Sequence, residues 1–258
     1  MTEILISDFI IGLFIFLRIM AMIIALPILG HESIPVIAKV FIAIILSYIT
    51  FLTIDKTQIH INPNLIFLMV NGAKEIITGF IMGYTLNFIF YGISYAGTLI
   101  GFEMGLMFAE VMDPIQGVSS NVVGEVIFYM AMVIFITING HHYVISALVA
   151  SFTVIPITKA TTSQATIQVI AKYSFTVFTI AVKIASPIIV AFFLVHLAEG
   201  IIARVIPNIQ VFFITQPVKI GLGLVLLASL APIYVYALKT LLNSYEDQLM
   251  ELIKAMST

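Results

Sequence analysis

The sequence predicts an all-α integral membrane protein built of long, broken helices and helical hairpins. Of its 258 residues, 61% are hydrophobic and only 9% are charged, whereas ordinary soluble domains carry about 25% charged residues. The apolar residues fall into runs that reach or exceed the roughly 20 residues needed to cross a bilayer core. At that length per span the chain has room for about six spans, and we expect no large soluble domain beside them.

Composition and motifs argue against several other classes of protein. The net charge is -2 and the chain contains no cysteine, so neither nucleic-acid binding nor a thiolate metal site is indicated. The sequence lacks a nucleophile elbow, a phosphate loop and an HExxH motif. Adjacent His141 and His142 would point in different directions on a helix. We therefore expect no enzyme activity, no cofactor and no metal.

The first two apolar runs predict a tight helical hairpin. Residues 9–29 form the first run, which ends near Pro27 and Gly30. No basic leader precedes this run, so we expect it to be a retained span. Residues 34–54 form the second run, with Pro35 near its first turn, where a missing amide hydrogen is harmless.

The third apolar run, residues 65–95, is longer than a single span needs. We expect it to tilt strongly or to extend beyond the bilayer. Within it, Glu75, Gly79 and Gly83 recur at intervals of four, which places them on one helix face. We interpret these three residues as a helix-packing site, because glycines allow close backbone approach in lipid.

The stretch 97–114 carries the most informative pattern. Gly97, Gly101 and Gly105 share one helix face, and the acidic Asp113 with the helix breaker Pro114 closes the run. Such a face is typical of a contact surface for another helix. The acidic, proline-terminated end cannot continue as a lipid-facing helix. A packed stripe that ends in an irregular polar loop indicates a gate.

Later segments predict one short piece and two long helices. Residues 122–138 and 143–155 are separated by a polar interruption, and the second is too short to cross, so we expect it to be re-entrant or packed on protein. Residues 158–168 resemble a linker. Beyond it we predict helices over 169–206 and 218–242 and an amphipathic tail over 243–258. We also predict a turn between Pro207 and Pro217, in which the side-chain amides of Asn208, Gln210 and Gln216 bond backbone that the helices have released.

Ionisable residues inside the apolar runs leave two interpretations open. His196 and Glu199 lie three apart on one helix face and would suit an ion relay in a stand-alone secondary transporter. Alternatively they bond locally. Arg18 and Lys39 would then extend to the interface or pair across the first hairpin, and Lys74 and Glu75 would lie near a helix end.

One resemblance decides what spacing leaves open. The motif GxxIGxxMGLxFA, from Gly97 to Ala109, followed by Asp113-Pro114, resembles the signature of the FliR/SctT family of flagellar and virulence export proteins. Further motifs agree in chain order. They comprise Arg18, Pro27, Gly30 and Pro35; Glu75, Gly79 and Gly83; Asn139-Gly140-His141 with Ser151-Phe152 and Pro156; and Pro187, Gly200, Arg204, Pro207, Val211-Phe212, Pro217 and Lys219-Ile220. Two features depart from the family: Asn208 and Gln210 exchange its two amides, and His196 and Glu199 replace commonly neutral residues.

The resemblance implies a structural and gating subunit of a flagellar export gate in the bacterial inner membrane, at the basal body. Such a subunit would form a channel for unfolded flagellar substrates with FliP-like and FliQ-like subunits, beside an FlhB-like one. Residues 1–165 would be FliP-like, with a plug at about 97–120, and residues 166–258 would be a FliQ-like hairpin with the amphipathic tail. The implied gate or plug residues are Gly97, Gly101, Met104, Gly105, Met107, Phe108, Glu110, Asp113 and Pro114. The implied turn and subunit contacts are Arg204, Pro207, Asn208, Gln210, Phe212, Pro217 and Lys219.

Overall fold

The computed structural model describes residues 2–54, 56, 64–106, 122–160, 164–208 and 210–257. In this part of the chain all regular secondary structure is helical, which confirms the all-α prediction. The eight helices are α1 (Thr2–Ala25), α2 (Val36–Thr53), α3 (Leu65–Glu103), α4 (Val122–Thr137), α5 (Gly140–Val154), α6 (Gln164–Val205), α7 (Val211–Asn243) and α8 (Tyr245–Ser257).

Several helices are long and apolar enough to cross a membrane, as predicted. Five stretches among the described residues qualify by length and composition, and the broken pair α4 and α5 would add a sixth. Helix α3 has 39 residues and α6 has 42. At 1.5 Å per residue they are roughly 58 Å and 63 Å long, about twice the thickness of a bilayer core. Neither can lie upright within the hydrocarbon.

Two predicted boundaries are wrong, and each has a physical reason. The expected turn up to Pro217 is shorter, because α7 begins at Val211 and keeps Pro217 inside it; a proline is tolerated in such a helix where neighbouring groups bond the released backbone. The expected linker already belongs to α6 from Gln164 onward. Its Thr166 is buried and donates to the Ala255 carbonyl over 3.1 Å, a tertiary bond that local composition does not reveal.

The helices belong to two compact units. The first comprises Met1–Phe88, Asn139–Ser174 and Asn243–Thr258, and the second comprises Ile89–Ile138 and Phe175–Leu242. Helix α3 therefore contributes its first part to one unit and its second part to the other. The division at residue 165, between a FliP-like part and a FliQ-like part, is a different kind of division and stays a prediction.

In the first unit, the glycines of α3 bring its backbone against α1. A Cβ atom on Gly79 would overlap the carbonyl oxygen of Arg18, and one on Gly83 would lie 2.5 Å from the carbonyl oxygen of Met22. The Asn87 amide donates to the Ala25 carbonyl at the end of α1. Close backbone approach of this kind is what small residues provide in apolar bundles.

The predicted first hairpin is confirmed in the first unit, and the residues of the predicted amphipathic tail form α8. In the hairpin of α1 and α2, the buried Lys39 donates to the Gly30 carbonyl over 2.8 Å. Helix α8 packs against α5. Its Glu251 also forms an ion pair of 2.7 Å with Lys172 of α6. Its apolar face is buried within the chain through Tyr245, Leu249, Leu252, Ile253 and Met256.

The second unit packs α3 against α4 and α6. A Cβ atom on Gly92 would lie 2.9 Å from Cβ of Ile180 on α6, and one on Gly97 would overlap the backbone of Gly124 on α4. The ring of Phe90 meets that of Phe128 edge to face, with 5.4 Å between centroids. Glycines thus set the helix separation on both sides of α3.

We expect Gly79→Ala to destabilise the protein, because the added methyl group has to displace the backbone of α1. Overpacking of this kind costs about 1–3 kcal/mol. Thermal unfolding of the detergent-solubilised protein measures the loss. Gly12→Ala on α1 is the matched control, since its Cβ would meet nothing closer than 4.0 Å and should leave the midpoint unchanged or slightly raised. Equal midpoints for the two variants would contradict the packing argument.

Candidate functional site

The predicted gate segment begins at the C-terminal end of α3, in the second unit. Gly97 and Gly101 are buried within the helix, and Met104 just beyond it is fully buried. Residues 107–121 lie outside the described part of the chain. The gate assignments of Met107, Phe108, Glu110, Asp113 and Pro114 lie there and stay predictions.

Gly105 ends α3 in a Schellman arrangement. Its φ is +76°, a left-handed conformation that glycine adopts without a steric penalty. The Gly105 amide donates to the Phe102 carbonyl over 2.9 Å, and the Leu106 amide donates to the Gly101 carbonyl over 3.0 Å. These two bonds are the pair that defines this helix ending. The third glycine of the stripe therefore turns the chain out of the helix.

Helix α7 holds this ending through Gln216. The Gln216 Nε2 atom donates to the carbonyl oxygens of Met104, over 3.2 Å, and Gly105, over 2.9 Å. The Met104 side chain lies over Gly223, whose Cβ would be only 2.5 Å from Met104 Cγ. The expectation that Gln216 bonds released backbone is confirmed, although that backbone belongs to α3 rather than to the turn beside it.

Four ionisable side chains form a cluster next to this ending. His196 Nε2 lies 3.0 Å from Glu103 Oε2, and His196 Nδ1 lies 3.2 Å from Glu199 Oε2. Lys219 Nζ lies 2.8 Å from Glu199 Oε2 and 3.3 Å from His196 Nδ1. The predicted bonding of His196 with Glu199 is confirmed. Sequence reasoning missed the other two partners, because Glu103 is 93 positions from His196 and spacing reports only neighbours along one helix.

The predicted turn and subunit contacts extend from the last turn of α6 to the third turn of α7. Arg204, Pro207, Asn208 and Gln210 are exposed, and Pro217 is exposed within α7. Phe212 belongs to the first turn of α7. Lys219 differs from this group, since its side chain is only 7% exposed and belongs to the ionic cluster. The assignment of these residues as subunit contacts stays a prediction.

A second polar site is the buried ion pair of Arg18 and Glu75 in the first unit. Arg18 Nε lies 2.6 Å from Glu75 Oε2, and both side chains are fully buried. The other carboxylate oxygen, Glu75 Oε1, accepts the Thr158 amide over 3.0 Å. The expectations that Arg18 extends to the interface or pairs within the first hairpin, and that Glu75 lies near a helix end, are wrong. Glu75 lies in the third turn of α3, opposite α1.

The end of α5 completes the surroundings of Arg18. Arg18 Nη1 donates to the Ile155 carbonyl over 3.1 Å and to the Ser151 carbonyl over 3.3 Å. The guanidinium carbon lies 4.2 Å from the centre of the Phe152 ring, within cation–π range. Residues from α1, α3 and α5 and the segment after α5 thus meet around one charge pair.

The described residues offer no group of three or more His, Asp or Glu side chains placed to hold a metal ion. The rings of His141 and His142 lie 4.3 Å apart in the first turn of α5. What the described sites can do is hold helices at fixed positions through paired charges and bonded backbone.

Together these features define an integral membrane protein. Its buried charges are paired with each other, and the end of α3 is hydrogen-bonded to a side chain of another helix. The chain matches the family described as bacterial export proteins, family 1, over residues 9–245, and it belongs to that family. The predicted resemblance to the FliR/SctT family is thereby confirmed.

Three relatives share the name flagellar biosynthetic protein FliR. The protein of Bacillus subtilis (strain 168) is 32% identical over 219 residues, which are 83% of each chain. That of Escherichia coli (strain K12) is 28% identical over 217 residues, covering 84% of this chain and 82% of the relative. That of Aquifex aeolicus (strain VF5) is 27% identical over 242 residues, covering 93% and 92%. These names are those of biosynthetic export proteins rather than enzymes.

We expect Glu75→Gln to destabilise the protein strongly, because it leaves the Arg18 guanidinium buried without a counter-charge. Removing one partner of a buried pair costs about 3–5 kcal/mol. The amount of protein in the membrane and its thermal midpoint in detergent measure the effect. Lys74→Met is the control, since it removes a charge from the exposed neighbouring residue and should cost no more than about 0.5 kcal/mol.

The double variant Arg18→Met with Glu75→Met distinguishes two causes of destabilisation, an unpaired buried charge and a loss of packing. Replacing both charges by apolar side chains leaves no buried charge, so it should be more stable than Glu75→Gln. A double variant as unstable as the single one would contradict this account.

Proposed function

We propose that the chain is a structural and gating subunit of the flagellar type III protein export gate, in the bacterial inner membrane at the flagellar basal body. The observation that carries this proposal is membership of a bacterial export family along nearly the whole chain. The names of the relatives specify flagellar biosynthesis. The several apolar helices support a place in the membrane.

In this proposal the subunit forms the export channel with FliP-like and FliQ-like subunits, beside an FlhB-like subunit. Residues 1–165 correspond to a FliP-like part and residues 166–258 to a FliQ-like hairpin. The exposed apolar surface of α7 supports such partners, since Phe213, Val218 and Val225 are each more than 60% exposed. A Cβ atom added to Gly221 on the same helix would meet no other atom within 4 Å, which leaves room for close approach of another helix.

The proposed gate is the segment that leaves α3 at Gly105. Gly97 lets the end of α3 approach the backbone of α4 closely, and Met104 anchors that end on Gly223 of α7. Gly101 shares the helix face of Gly97. Met107 and Phe108 then supply apolar bulk that keeps water out of the closed channel, and Asp113 with Pro114 fixes the turn. Displacement of this segment by an unfolded substrate opens the channel.

The alternative function, a stand-alone secondary transporter, has one observation in its favour. Glu103, His196, Glu199 and Lys219 gather at one place in the second unit, and ionisable groups inside apolar helices commonly belong to ion pathways. The two functions differ in what the protein needs around it. A transporter works alone or as a homo-oligomer, whereas a gate subunit works only within its assembly.

We expect the protein to be recovered from native membranes in a large, detergent-stable complex. Affinity purification of the tagged chain, followed by identification of the bound chains, should yield FliP-like and FliQ-like subunits. Arg204→Glu, which reverses an exposed charge, should reduce their recovery, and Lys172→Glu on an exposed ion pair elsewhere is the matched charge reversal. Purification of a solitary chain that carries a solute across liposomes would refute the proposal.

We expect deletion of residues 105–108 to make the resting channel leak. The deletion removes the turn and the apolar bulk that the proposal assigns to the plug, so small ions should cross the membrane without substrate. Ion flux across the membrane of cells that make the whole apparatus measures the leak. The same deletion in cells without the FliP-like subunit is the control and should stay tight. A tight membrane in both strains would remove the plug assignment.

A further inference from the structure

The end of α3 is tied to α6 and α7 by two sets of polar contacts within the second unit. The first set is Gln216 on the carbonyls of Met104 and Gly105. The second is the cluster of Glu103, His196, Glu199 and Lys219. We propose that the two sets act as one device, the α3 latch, in which Gln216 is the positioning residue that sets where the chain leaves the helix. The consequence for export rests on the function proposed above.

The carbonyls at the end of α3 need partners from outside the helix. The last carbonyls of any helix have no amide within it to bond. The Schellman bonds occupy the carbonyls of Gly101 and Phe102. The carbonyls of Met104 and Gly105 lie beyond these, and both accept from the same nitrogen of Gln216. A side-chain amide carries two N–H donors, so one glutamine supplies both bonds.

Gly105 and Gln216 depend on each other at this point. A Cβ atom at Gly105 would overlap the Gln216 amide, and the φ of +76° already disfavours any other residue. The glycine therefore serves two purposes: it ends the helix, and it admits the amide of a different helix against its backbone. A residue chosen only to end the helix would not need this second feature.

The charged cluster closes a ring of contacts through the three helices. Lys219 follows Gln216 by three residues and so shares its face of α7. Lys219 binds Glu199 of α6 over 2.8 Å, and His196 of α6 binds Glu103 at the end of α3 over 3.0 Å. His196 Nε2 faces Glu103, and His196 Nδ1 faces both Lys219 and Glu199. Polar contacts therefore link α7 to α6 and α6 to α3.

Polar contacts are needed here because apolar packing alone does not fix a position. Met104 on Gly223 is the apolar contact beside the latch, and helices in lipid gain little from exchanging one apolar neighbour for another. Hydrogen bonds and ion pairs hold only at one register of α3 against α6 and α7. The latch therefore fixes the starting point of the segment after Gly105.

The absence of native cysteine allows a direct test of this position. A pair introduced by Met104→Cys and Gly223→Cys, in the full apparatus in native membranes, should form a disulfide on oxidation, because the Met104 side chain lies against the Gly223 position. Gln216→Glu keeps the size of the side chain but turns an oxygen toward two carbonyl oxygens. We expect it to lower the rate of cross-linking by about tenfold, from loss of both bonds. Gln168→Glu, an exposed glutamine on α6, should leave the rate unchanged.

The charged part of the latch has its own test, which also covers the case in which Gln216→Glu fails to fold. Lys219→Glu should lower cross-linking, because it places a second carboxylate directly beside that of Glu199. The exchange of Glu199→Lys with Lys219→Glu restores the ion pair and should recover most of the cross-linking. Cross-linking at the original rate in both Gln216→Glu and Lys219→Glu would overturn the latch.

A separate measurement distinguishes failure of the latch from failure of the proposed gate. In a chain without introduced cysteine, Gln216→Glu should cause ion leakage through the resting apparatus if the segment after Gly105 is the plug. Slower cross-linking together with leakage supports both proposals. Slower cross-linking with a tight membrane supports the latch and removes the plug.

Discussion

The first unit depends on one interaction, the ion pair of Arg18 and Glu75. Both side chains are fully buried, and a charge removed from water is costly unless it is paired and hydrogen-bonded. Arg18 Nη2 has no hydrogen-bond partner among the described residues, and the other charged atoms are bonded only if α1, α3 and α5 are all in place. Arg18 needs the Ser151 and Ile155 carbonyls of α5 and its C-terminal end, and Glu75 needs the Thr158 amide. The cost of burying two charges thus enforces a single arrangement of three helices, a use of buried polar groups that packing of apolar side chains does not provide.

The glycine spacing and the ion pair of α3 are two parts of the same contact. Glu75 and Gly79 lie one helical turn apart on one face. The side chain of Glu75 binds the side chain of Arg18, while Gly79 admits the backbone of the same residue. A larger residue at 79 would separate the helices and lengthen the 2.6 Å ion pair. The three motif positions Glu75, Gly79 and Gly83 therefore combine electrostatic and steric conditions for one helix crossing.

Sequence reasoning predicts this fold where the signal is local. Hydropathy gives the spans, and intervals of four identify the glycine faces of α3, because both are properties of a single helix. The partner of Arg18 is 57 positions away and the partner of His196 on α3 is 93 positions away, so neither follows from spacing. The prediction that the turn extends to Pro217 is wrong because it relied on a local signal alone. The local preference of this proline to end a helix is overridden by tertiary surroundings that keep α7 continuous from Val211.

The way in which the described charges are satisfied bears on the choice between a gate subunit and a carrier. A carrier needs ionisable groups that exchange partners as it alternates between states. Arg18 and Glu75 are enclosed on several sides by backbone and aromatic contacts, and Lys219 is held by two groups at once. Meanwhile α7 leaves large apolar residues uncovered, such as Tyr236 at 74% and Val225 at 65% exposure. Charges that are held in place within the chain suit the proposed gate subunit, because its companions rather than its own rearrangement would complete the conduit, and the exposed apolar residues suit either lipid or such companions.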